Sequence, residues 1–158
     1  MKNQLLVRKI DHGTVIDHIP AWRAEMVMRL LDMEAIRAQP DVSLVSLNNV
    51  PSGRLGGKDI IKLTHYHLDE GDADLVCLVF PTVSINYIEG WEPRKYRPKI
   101  PERVSGRLRC PELRCITNAE REPVVARFSV LPEFQVLQCE YCDSLIDFEK
   151  MPDYVIGE

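Results

Sequence analysis

The chain has 158 residues, room for one ordinary domain or two small ones, and at 45% apolar and 28% charged it has the composition of a folded protein. A formal net charge of −4 gives no global attraction to nucleic acid or to an anionic membrane. Neither half is basic: residues 1–97 carry 12 Lys and Arg against 13 Asp and Glu, and residues 98–158 carry 8 against 11.

No apolar run approaches the roughly 18 residues of a membrane span, and the N-terminus has no signal-peptide core. The expected location is therefore a reducing cytoplasm, where clustered cysteines read as metal ligands rather than disulfides.

In chain order, residues 5–10 alternate loosely and predict an edge strand. His12-Gly13 reads as a turn, and residues 14–19 as a β-branched strand stopped by Pro20. Between residues 21 and 32, Trp22, Met26, Val27, Leu30 and Leu31 recur at helical spacing opposite Arg23, Glu25 and Arg29. They predict one amphipathic helix, with Trp22 and Met26 as core packing. Residues 42–50 and 58–63 predict two strands around a glycine-rich turn. A second helix is expected after Asp69 as its cap, with Asp72 as the alternative, Leu75, Val76, Leu78 and Val79 as its apolar face and Pro81 as its end. Residues 82–88 predict another strand. The order strand, helix, strand, strand, helix, strand is the ferredoxin-like split βαβ arrangement, an α+β sheet with two helices on one face.

Pro93, Pro98 and Pro101, flanked by Arg94, Lys95 and Arg97, mark a stiff linker. The expected domains are therefore 1–97 and 98–158. The second is small and β-rich, and too short to make a robust core from apolar burial alone.

The cysteines supply what it lacks. Cys110 and Cys115 are spaced C-x4-C, Cys139 and Cys142 C-x2-C, and all four lie within 33 residues. Two turns that each present two thiolates provide the four tetrahedral ligands of a structural zinc ion, one per chain. Four thiolates leave no open coordination position, so such a site is not catalytic. An iron centre of rubredoxin type is the main metal rival. Cys77 reads as a small apolar residue within a helix. His65 and His67, on one face at a strand end, could bind a metal but lack a supporting ligand pattern, and read as exposed polar residues. No nucleophile motif, P-loop or dinucleotide fingerprint is present. Arg54-Leu55-Gly56-Gly57-Lys58 lacks the P-loop spacing and reads as a hairpin.

Five segments in register carry a resemblance: residues 13–20 (GTVIDHIP), 58–62 (KDIIK), 98–103 (PKIPER), Cys110-Pro111 through Asn118, and Cys139-Glu140-Tyr141-Cys142. Together they resemble the regulatory chain of aspartate carbamoyltransferase over essentially the whole sequence. The resemblance implies a non-catalytic subunit of pyrimidine biosynthesis that pairs as a homodimer through its N-terminal domain. Its zinc domain would dock on the catalytic chain, and CTP, UTP and ATP would be its effectors. It further implies nucleotide-site roles for Asp17 near the ribose, His18 near the phosphates, Lys62 at sugar and base, and Asn86. Lys95 would serve the triphosphate if one residue is dropped before it. Ile10 and Val15 would wall the base, and Lys58 would serve a second nucleotide. Trp91 stands where the family commonly has tyrosine, Pro93 follows it, and Gln4 occupies the place of an assisting lysine. These departures bear on effector preference. The competing readings are a nucleic-acid-binding zinc ribbon with an accessory sensing domain, disfavoured by the acidic balance of residues 98–158, and a free-standing sensing module.

Overall fold

The computed structural model describes residues 8–156. It is a mixed α/β protein with an antiparallel sheet, few helices and a β-rich C-terminal part bearing a cysteine cluster. The elements of the first part are β1 (His12–Pro20), α1 (Ala24–Arg29), α2 (Met33–Arg37), β2 (Ser43–Ser52), β3 (Gly56–Thr64), α3 (Glu70–Val79), β4 (Ser84–Glu89) and β5 (Glu92–Lys95). They are followed by β6 (Arg103–Ser105), β7 (Arg127–Leu131), β8 (Val136–Cys139) and β9 (Leu145–Asp147), with 3-10 turns between and after them. Among the described residues no helix is long and apolar enough to cross a membrane.

Contacts divide the chain into two units. One comprises the residues up to Glu25, Asp32–Asp69 and Thr82–Arg97; the other comprises Met26–Leu31, Glu70–Pro81 and the chain from Pro98.

The first unit is built on a five-stranded antiparallel sheet in the order β2-β3-β1-β4-β5. Its first four strands have the ferredoxin-like order. Two elements differ from the sequence expectation. Residues 21–32 do not form one helix: Trp22 has φ +68 and is 69% exposed, α1 is only six residues, and Asp32 starts α2 by accepting from Ala35 N at 3.0 Å. The supposed linker at residues 92–95 is a fifth strand, joined to β4 by the two-residue turn Gly90-Trp91, with both residues at positive φ (54° and 70°). That is the backbone of a type I′ hairpin, whose twist matches the strands it joins. The strand expected at residues 5–10 falls partly outside the described residues, and residues 8–10 are not in a strand.

His12-Gly13 is also not a turn but the start of β1. Gly13 is required there, because a Cβ at this position would lie 2.0 Å from the Leu63 carbonyl oxygen. Both neighbours of β3 bulge beside Asp59: the register shifts between Ile16 and Ile19 on β1 and between Leu47 and Val50 on β2. A bulge leaves backbone groups without ladder partners. Asp59, fully buried, accepts from Asn49 N in the β2 bulge at 2.7 Å, and from Trp22 N at 3.0 Å and Ala24 N at 2.8 Å where the chain passes from β1 into α1. One face of the sheet carries the buried Ile16, Ile61, Leu63, Ile85 and Tyr87. The opposite face carries the candidate site.

The second unit contains the four-stranded sheet β6-β7-β8-β9 and the helix α3. Phe128, Leu137, Ile146, Leu108 and Met151 are fully or almost fully buried within it. Arg107 reaches Asp72 at 3.5 Å and the Leu30 carbonyl at 3.4 Å, and Lys99 N donates to Asp74 Oδ1 at 2.9 Å.

Candidate functional site

Residues directly opposite each other on antiparallel strands share a face. Val15 on β1 faces Lys62 on β3 and Asn86 on β4, and Asn86 faces Lys95 on β5. Four of the residues expected at a nucleotide site therefore form one row across four strands. At a strand period of two, Asp17, Ile60 and Ile88 fall on the same face.

A cavity of about 540 Å³ opens above this face. Its wall includes Ile10, Val15, Asp17, Lys58, Lys62, Asn86 and Trp91 from the expected set. His18 and Lys95 are not on it. His18 sits in the β1 bulge with φ +57, its backbone N–H donating to Asp17 Oδ1 at 2.6 Å and its ring Nδ1 2.9 Å from Ser84 Oγ. Lys95 stands on the exposed fifth strand beyond Asn86. Lys9, Val50, Pro51, Ile60, Ile88 and Pro93 line the cavity without having been expected there. Ile60 and Ile88 were findable, being two residues from Lys62 and Asn86. Val50 and Pro51 follow the β2 bulge, whose shift of register breaks the period of two.

The wall joins an apolar slot to cations. Lys58 Nζ lies 2.8 Å from Asp17 Oδ1. Lys62 Nζ donates to the Arg8 carbonyl at 2.7 Å, and burial lowers its pKa against the opposing pull of Asp17. Trp91 is 62% exposed, and its backbone N–H donates to the Asp11 carbonyl at 3.1 Å. Apolar side chains interleaved with lysines can hold a flat aromatic ring that carries an anionic group.

The second site lies in the other unit. Cys110, Cys115, Cys139 and Cys142 bring their sulfurs within 4.8 Å of one another. The Cys110–Cys142 sulfur separation is 3.5 Å and that of Cys115–Cys139 is 3.8 Å. Thiolates sharing a tetrahedral ion at about 2.3 Å stand about 3.8 Å apart, so the donors fit such an ion. The turns are braced: Asn118 Nδ2 donates to the carbonyls of Cys110 (3.0 Å) and Glu112 (2.8 Å), and Cys139 N donates to Ser144 O at 2.8 Å. Thr117 Oγ1 donates to Cys115 Sγ at 3.2 Å. Burial pushes the Cys110 and Cys139 thiols up. Burial acts upward on Cys142 too, but hydrogen bonds with Ser144, Cys110 and Cys139 bring it down to about 7. Cys77 is apart, on α3; burial, then the charge of Asp74, raises its pKa to about 11 and leaves it a poor nucleophile.

Two family models together match most of the chain. Residues 5–97 match the allosteric domain of the aspartate carbamoyltransferase regulatory chain, and residues 102–152 match its metal-binding domain. The chain belongs to the aspartate carbamoyltransferase regulatory chain family. Among its relatives, the regulatory chain of Korarchaeum cryptofilum is 40% identical over 159 residues, covering 99% of each chain. That of Hyperthermus butylicus is 42% identical over 94% of this chain and 92% of its own. That of Archaeoglobus fulgidus is 37% identical over 96% and 98%. As a regulatory chain it is a non-catalytic subunit, with an allosteric and a metal-binding domain.

Proposed function

We propose that this chain binds nucleotide effectors (CTP, UTP or ATP) in the sheet-face cavity and transmits their binding to the catalytic chain of aspartate carbamoyltransferase, controlling pyrimidine biosynthesis. The observation that carries the reading is the row Lys62–Val15–Asn86–Lys95, with the cavity over three of its members. Val15 and Ile10 wall the base, Asn86 and Lys62 fix base and sugar, and Asp17 faces the ribose. Lys95, one residue from the cavity edge along the row, reaches for the phosphates together with His18. Lys58 serves a second nucleotide. Trp91, at the positive-φ tip of the β4–β5 hairpin, offers an exposed indole for stacking.

Residues 1–97 form the effector-binding domain, which also pairs two regulatory chains. Residues 98–158 form the domain that docks on the catalytic chain. One zinc ion per chain, held by Cys110, Cys115, Cys139 and Cys142, supplies the cross-link this small domain needs. The exposed Leu113, Ile116 and Tyr141 beside the two cysteine turns suit a protein interface. Effectors act because they bind two quaternary states unequally, a coupling of about 1–3 kcal/mol. Nucleic acid and membrane have no part, and the complex is cytoplasmic.

Calorimetric titration of the purified chain with CTP and ATP tests the binding step. Binding by the unaltered chain and its loss in Asn86→Ala support the reading; equal heats in both chains overturn the assignment of this cavity.

A further inference from the structure

Three histidines remain unused by either site. His12 begins β1, and His65 and His67 follow the end of β3. The latter two are exposed residues just past the end of β3, and His65, with φ +63, donates its N–H to the His12 carbonyl at 2.8 Å. The His12 and His67 ring centres are 4.4 Å apart with planes 19° from parallel, and those of His12 and His65 are 6.4 Å apart.

The fold brings two carboxylates to these rings. His65 Nε2 faces Asp11 Oδ1 at 3.8 Å, and His67 Nδ1 faces Glu89 Oε1 at 3.9 Å. Both gaps are too long for hydrogen bonds. His65 Nδ1 lies 3.1 Å from the Asp41 carbonyl, which can only accept, so Nδ1 carries the proton. In the neutral ring Nε2 then keeps its lone pair, the state in which a histidine binds metal.

We propose that His12, His65 and His67, flanked by Asp11 and Glu89, bind a divalent transition-metal ion at a second site, separate from the cysteine cluster. Neutral imidazole with carboxylate selects ions of the zinc, nickel and copper group. Two imidazoles on one tetrahedral ion place their ring centres about 5 Å apart, between the two spacings here. The stacked rings must rotate to aim their nitrogens at a common point. Their exposure leaves room for this: His65 is 49% and His67 33% exposed. The ion would tie together the ends of β1, β3 and β4, the strands that carry Val15, Lys62 and Asn86.

The test is equilibrium dialysis of the zinc-replete full chain against micromolar Ni²⁺, with both metals counted by atomic absorption. The unaltered chain should take up one nickel beside its zinc. His12→Asn/His67→Asn should take up none while retaining zinc and its circular dichroism spectrum, and His65→Asn alone should weaken nickel uptake tenfold or more. No nickel uptake by the unaltered chain, or equal uptake by His65→Asn, overturns the proposal.

Discussion

Asp17 Oδ1 and Lys58 Nζ are 2.8 Å apart on the wall of the cavity, with side chains only 24% and 17% exposed. The pair neutralises itself at the place where an anionic ligand is expected. Removing Lys58 alone leaves the Asp17 carboxylate unpaired on the wall of a cavity expected to hold an anionic ligand. Lys58→Ala should therefore weaken CTP binding more than Lys58→Ala/Asp17→Asn does. Calorimetry on both variants measures the difference, and equal losses would mean that the pair is not coupled to the ligand.

Lys62 and Lys95 occupy one row on either side of Val15 and Asn86. A hydrogen bond to a charged group contributes about 1.5–3 kcal/mol. Alanine at either position should raise the effector dissociation constant roughly 10- to 100-fold while the regulatory and catalytic chains still co-elute on gel filtration. An unchanged effector titration would remove that lysine from the site.

The lowered pKa of Lys62 has a signed consequence for the ligand-free chain. Burial makes the charged form costly in the folded state, so its pKa there lies below the usual 10.5. Below both values the folded protein carries that cost, and it fades as pH rises through the folded value toward 10.5. The stability of Lys62→Gln relative to the unaltered chain should therefore fall as pH rises from 8 to about 10.5. Urea titrations across this range would measure it, and a flat or rising difference would contradict it.

Asp59 is fully buried and accepts three backbone N–H groups, one of them buried and two part-buried, so its loss leaves all three without their acceptor. Each orphaned donor costs about 1–3 kcal/mol. Asp59→Ala should lower the melting temperature by roughly 10 °C or more. A shift of a degree or two would mean that water replaces the carboxylate.

Removing the metal tests the cysteine cluster. Structural zinc binding contributes about 10–16 kcal/mol at neutral pH, more than a small domain's own stability. Chelation, or Cys110→Ala, should disorder residues near 104–150 and release the catalytic chain, seen as lost amide dispersion and a smaller complex by light scattering. An intact complex after verified metal removal would contradict this.

The legible parts of this chain were those fixed by short spacing. The paired cysteines announced their cluster, and β-branched runs gave β1, β3 and β4, whose period of two places Val15, Lys62 and Asn86 on one face. What could not be read depended on contacts distant in sequence. Asn49, at φ +54, and Pro51 are residue types that mark a break in a strand, but the acceptor of the Asn49 N–H, Asp59, lies ten residues later. Trp22 looked like core because it matches a helical period, yet its N–H is claimed by Asp59 and its ring is outside. The fifth strand was hidden because prolines dominate residues 93–101, while the turn that makes it is a glycine and a bulky tryptophan at positive φ. The carboxylates beside His65 and His67 come from β4 and from just before β1, invisible to local spacing.

Control of a catalytic partner by occupancy of the sheet-face cavity is tested most directly by the carbamoyltransferase activity of the complex reconstituted from this chain and its catalytic chain, titrated with CTP and with ATP. A several-fold change in the aspartate response of the unaltered complex is expected, with little or none for Lys62→Ala at unchanged assembly. An intact unaltered complex whose activity ignores both nucleotides would contradict it.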